Sequence, residues 1–111
     1  MSPIVLVAGL FGACGVALSA VAAHGGGADL NPASLILLVH APALLAIGLA
    51  ATPRLTRLGG YVLALGALLF AGDLAARHFL GHRLFPMAAP TGGVTMMVGW
   101  AVVALSAFAR R

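Results

Sequence analysis

The run LGGYVLALGALLFAGDLAARHFL, from Leu58 to Leu80, is long and apolar enough to cross a bilayer, yet it carries Asp73, one of only two acidic residues in the chain. A membrane-spanning helix needs about 20 mostly apolar residues. An aspartate near its centre costs about 2.5–3.5 kcal/mol to insert, and less towards an interface. Asp73 must therefore face other helices or water. The run demands neighbours, and the sequence supplies three.

The first neighbour is PIVLVAGLFGACGVALSAVAA, residues 3–23. Its Ala20-Val21-Ala22 resembles a signal-cleavage site, but no Lys or Arg precedes the run and its apolar part exceeds a usual signal core, so it reads as a span. Small residues fall on two helical lines, Gly9, Ala13, Ala17 and Gly15, Ser19, Ala23, which favour close approach of another helix. His24-Gly25-Gly26-Gly27 then breaks the helix. Asn31-Pro32 is a start signal, with Asn as cap and Pro in the first helical position. The second span covers residues 33–51 and holds His40; Pro42 frees the Leu38 carbonyl, so a kink and some space beside His40 are expected. Thr52 to Arg57 forms a short basic turn. The third span occupies residues 58–80, a connection containing Pro86 and Pro90 follows, and the last span runs over residues 91–108 before Arg110-Arg111. The expectation is one all-α domain over residues 1–111, an integral membrane four-helix bundle.

Composition agrees. The chain is 62% hydrophobic and 7% charged, without lysine, and its mean hydropathy is +1.12. A soluble domain of 111 residues needs far more charge on its surface. The formal charge of +4 comes from arginines placed between or after apolar runs, the pattern of topology determinants and not of a phosphate-tracking stripe. Nucleic acid is not an expected partner; the lipid bilayer is. Cys14, the single cysteine, lies inside an apolar run and has no intrachain partner.

Four spans put both termini on one side with Arg54 and Arg57. That side also holds Arg110 and Arg111, against Arg77 and Arg83 opposite. Positive-inside bias then predicts cytoplasmic termini in a cell inner membrane. Asp73 and His40 both fall on the order of 10–14 Å below the opposite surface at 1.5 Å per residue. His24 closes the first helix there, and Thr91 and Thr95 open the fourth. His24, His40, Asp73, Arg77 and Thr91 thus form a candidate polar cluster in the non-cytoplasmic half. Such a cluster either pins helix packing or handles protons, ions or a small ligand. Arg77, four residues after Asp73 on one helix, is the expected ion-pair partner.

Other chemistry is poorly supported. His78 and His82 have metal-ligand spacing, but Gly81 ends the helix between them and Arg77 and Arg83 flank them with the wrong charge. A bis-His haem between His24 and His40 would need both inside the bundle, and His24 sits at a helix end. Met87, Met96 and Met97 read as packing residues. No nucleophile–base arrangement is visible, and Gly92-Gly93 reads as a close-packing device. No cofactor, metal or catalytic residue is expected.

Several short motifs occur in a telling order: Ala23-His24-Gly25, Val39-His40-Ala41, Leu69-Phe70-Ala71-Gly72, Ala89-Pro90-Thr91-Gly92-Gly93 and Gly99-Trp100. The chain resembles, from about Gly9 to Trp100, the YgdD-like family of small bacterial inner-membrane proteins, domain of unknown function family 423. Two departures stand out. The family usually has an aromatic residue before the second-helix His and lacks the Pro42 kink. Its third helix tends to read small-Gly-Ser-Leu-Tyr where this chain has Ala71-Gly72-Asp73-Leu74-Ala75. The resemblance implies a four-helix membrane fold and no particular activity.

The expected function is non-enzymatic: an accessory or structural membrane protein, or one that binds a small hydrophobic or ionic ligand. The alternative is a transporter or channel subunit in which His40 and Asp73 handle protons or ions. Four short helices hardly enclose a path alone, so transport would require a homo-oligomer or larger complex.

Overall fold

The computed structural model describes residues 1–25, 27 and 29–109; Arg110 and Arg111, counted above in the charge asymmetry, lie outside the described residues. Four helices follow one another: α1 (Pro3–Gly25), α2 (Leu30–Leu49), α3 (Arg54–Leu80) and α4 (Ala88–Leu105), the last extended by a 3-10 turn over Ser106–Phe108. All four are long and apolar enough to cross a membrane.

The helix ends follow from local chemistry. Helix α2 starts at Leu30 and α4 at Ala88, each two residues before a proline, Pro32 and Pro90. A proline in the first turn forfeits nothing, because the amides there have no intrahelical acceptor. Asn31 is accordingly inside α2 and does not cap it; Asp29 occupies the cap position, with no side-chain hydrogen bond. Helix α2 stops where Ala50 turns extended, ahead of Thr52-Pro53. Most of the basic turn is helix, since α3 already begins at Arg54. Gly81 ends α3 in the left-handed conformation, φ 78°, which glycine adopts without steric cost. Helix α2 continues unbroken through Pro42.

Helices α2 and α3 form the centre. α1 packs chiefly on α2, α4 chiefly on α3, and α1 touches α3 only glancingly. The ends of the elongated body, 47 × 26 × 20 Å, are set by the antiparallel hairpins. One end gathers Pro3, Leu49, Arg54 and Leu105, the terminus-bearing end; the other gathers Gly25, Leu30, Leu80 and Ala88. The core joins Ile4, Ala8 and Phe11 of α1 to Leu37 and Leu44 of α2, Leu63 and Ala67 of α3 and Met96 of α4.

Lipid tails are as apolar as these side chains, so close packing holds such helices together in place of hydrophobic burial. Helices α3 and α4 meet backbone to backbone. A Cβ on Gly92 would stand 2.6 Å from the Phe70 amide nitrogen and 2.7 Å from the Gly66 carbonyl oxygen, and one on Gly66 would stand 2.7 Å from the Met96 nitrogen. On α1 the approach to α2 is made at Gly15, whose Cβ would meet Leu38 at 2.7 Å. Of the two small-residue lines expected there, Gly9 and Ala13 face outward, and in the other only Gly15 is buried.

Candidate functional site: polar ties and a lateral groove

Asp73 is fully buried near the end of α3 away from the termini. Its Oδ2 accepts from the Arg77 guanidinium at 2.7 Å, the i,i+4 pair expected from the sequence. Its Oδ1 accepts the Leu84 backbone N–H at 3.0 Å. The carboxylate therefore fastens the connection after Gly81 back onto α3, beside the first turn of α4. Arg77 reaches outward, its side chain 34% exposed. This pair keeps Asp73 satisfied without a second charged helix.

His40 lies in the middle of α2, 4% exposed. Its Nδ1 donates to the Ile36 carbonyl at 2.8 Å, since that oxygen only accepts. Its Nε2 accepts the Trp100 indole N–H at 3.1 Å, since that group only donates. Both nitrogens are satisfied by the neutral Nδ1–H tautomer, and the two rings pack with centroids 5.7 Å apart. In place of the space expected beside Pro42, His40 is enclosed and tied to α4.

The remaining candidates stand apart. His24 is exposed and donates from Nδ1 to its own helix's Ala20 carbonyl at 2.9 Å. Thr91 is exposed, and its carbonyl takes the Thr95 hydroxyl at 2.7 Å. The structure thus brings together Asp73 and Arg77 and leaves His24, His40 and Thr91 separate. His78, considered above for metal, faces Asp29, Nδ1 to Oδ1 at 3.1 Å.

Three ties between different helices escaped sequence reasoning. Besides Trp100 to His40, Ser34 donates across to the Gly15 carbonyl of α1 at 2.9 Å, and Thr56 donates to Ser106 at 2.7 Å between α3 and the end of α4. Ser34 and Ser106 are buried polar residues in apolar runs, which is the signal that could have flagged them. The arrangement is a set of single hydrogen bonds at different depths, each joining a different pair of elements.

An apolar opening lies elsewhere. Because α1 leans on α2 and barely meets α3, a groove of about 610 Å³ remains between α1 and α3. Leu10, Cys14 and Leu18 line one wall and Leu65, Leu68 and Gly72 the other. Its lining is apolar throughout, and Leu10, Leu65 and Leu68 within it are exposed on the surface of the bundle. Cys14 is exposed within it.

Fold and site together define a small four-helix membrane protein in which the buried Asp73, His40, Ser34 and Ser106 are all hydrogen-bonded within the chain. The model of the family described as "Protein of unknown function (DUF423)" matches residues 8–93, so the chain belongs to that family. No curated protein sequence and no solved structure matches it.

Proposed function

We propose that this protein is a non-enzymatic accessory protein of the inner membrane that holds a hydrocarbon chain in the lateral groove between α1 and α3. The observation carrying this reading is the groove itself, about 610 Å³ and lined by apolar side chains from both helices. A flexible chain in such a slot contacts protein on several sides, where an ordinary boundary lipid contacts one. The enclosed state of His40 and the local pairing of Asp73 favour this static role over proton or ion movement. Both termini are cytoplasmic on this reading, from the arginine bias of the sequence.

The test is photo-crosslinking in nanodiscs with phosphatidylcholine bearing a diazirine in its acyl chain, with adducts mapped by mass spectrometry. Adducts should concentrate on Leu10, Cys14, Leu65 and Leu68 over equally exposed apolar residues such as Leu35, Met97 and Val98. An even distribution over these two sets would sink the proposal.

A further inference from the structure

The α3 wall of the groove continues beyond the groove. Leu65, Leu68, Gly72 and Ala75 line it, and the same three- and four-residue spacing carries the stripe back through Tyr61 to Arg57 and Arg54. Residues so spaced share one face of a helix. Both arginines and Tyr61 are exposed. A shallow hollow of about 590 Å³ lies beside the arginines, lined also by Thr52 and Ala109. The apolar slot and the two arginines thus lie along one face of α3, at successive depths.

No acidic side chain can neutralise this basic end from within the chain. The only two carboxylate side chains, Asp29 and Asp73, are both at the opposite end, where His78 and Arg77 hold them. Arg83, also at that far end, does not belong to the stripe. The spacing suits an amphiphile. Arg57 lies about 10 Å along the helix axis from Ala64, where the apolar lining begins, and the lining runs about 16 Å further to Ala75. Measured from Arg57 the lining therefore spans about 10–26 Å, past the roughly 15 Å depth of one leaflet's hydrocarbon, so an acyl chain lying in it is extended and crosses the midplane.

We propose that the groove and the Arg54–Arg57 pair together form a site for one anionic phospholipid, its phosphate between the two guanidinium groups and one acyl chain along Leu65, Leu68 and Gly72. This rests on the reading that the groove takes a hydrocarbon chain, and it adds the class of molecule and the residues that choose it. Arginine suits the role, because its fork of donors matches phosphate oxygens and its charge persists at the membrane surface.

The experiment is native mass spectrometry of the full chain released from vesicles of equal parts phosphatidylglycerol and phosphatidylcholine, repeated with 10-fold dilution by either lipid. The wild-type chain should retain one phosphatidylglycerol in preference to phosphatidylcholine. Arg54→Gln/Arg57→Gln should lower that preference on the order of tenfold, given the attraction of each arginine to an anionic surface, while retaining phosphatidylcholine. Arg83→Gln, which removes one arginine charge at the other end, should leave the preference unaltered, whereas Arg57→Gln alone should lower it. Helical circular dichroism confirms folding of each variant. Equal retention of both lipids by the wild-type chain, or equal effects of the two sets of substitutions, overturns the headgroup site while leaving the groove reading in place. No lipid retained at all overturns the groove reading as well. Loss of phosphatidylglycerol on addition of millimolar inorganic phosphate would mark the arginines as a free-anion site and overturn the lipid assignment.

Discussion

Trp100 donates its indole N–H to Nε2 of His40 at 3.1 Å, joining α4 to α2 across the bundle. Apart from this bond, α4 packs chiefly on α3, and α2 on α1 and α3. The bond needs His40 neutral, with its proton on Nδ1 and engaged by Ile36. Interhelical hydrogen bonds in membranes average about 0.6 kcal/mol and reach about 1.7. His40→Phe and Trp100→Phe should each lower stability, and the double variant should cost less than their sum by an amount in that range. A double-mutant cycle on unfolding in mixed micelles measures it; additive effects would show that the contact contributes nothing.

Asp73 and Arg77 give an asymmetric expectation. Arg77→Ala strands a fully buried carboxylate and should cost about 3–5 kcal/mol. Asp73→Ala leaves a charge that reaches solvent, so its electrostatic cost is smaller, but it also removes the acceptor of the Leu84 N–H. Replacing both with alanine should recover most of the loss seen in Arg77→Ala, falling short of wild type by about 1–3 kcal/mol for the orphaned amide. Thermal unfolding in detergent of the three variants decides this. A double variant no better than Arg77→Ala would contradict the pairing.

Two adjacent glycines provide a matched pair. A Cβ at Gly92 collides with the Phe70 and Gly66 backbones, whereas one at Gly93 meets nothing within 4 Å. Gly92→Ala should therefore force α3 and α4 apart and destabilise the chain by about 1–3 kcal/mol, as overpacking does elsewhere. Gly93→Ala should be neutral or slightly stabilising, through helix propensity. The comparison requires only two melting curves, and similar curves would refute the close approach.

The spans were legible because length and apolarity define them almost alone, and Asp73–Arg77 was legible because it is local to one helix. The ends were less so. First-turn prolines at Pro32 and Pro90 are compatible with a helix starting at them or two residues earlier, and sequence does not separate these. That difference matters for His40, which an earlier start places mid-helix, away from the level of Asp73. The Leu84 bond depends on how the chain folds back after Gly81, and Trp100 meets His40 across sixty residues. Neither follows from spacing. The groove was the least legible feature, because it is made by α1 choosing α2 over α3, while the small residues of α1 mark possible contacts without naming the partner.

The most direct test of the groove compares two tryptophans. Leu68 lines the groove and is 59% exposed; Val98 on α4 is 51% exposed and faces outward from the bundle. Leu68→Trp fills the slot with an indole, and Val98→Trp adds the same bulk to an open face. After identical detergent exchange, native mass spectrometry should find a lipid retained by the wild-type chain and by Val98→Trp, and lost from Leu68→Trp. Retention by Leu68→Trp equal to that of Val98→Trp would contradict the account.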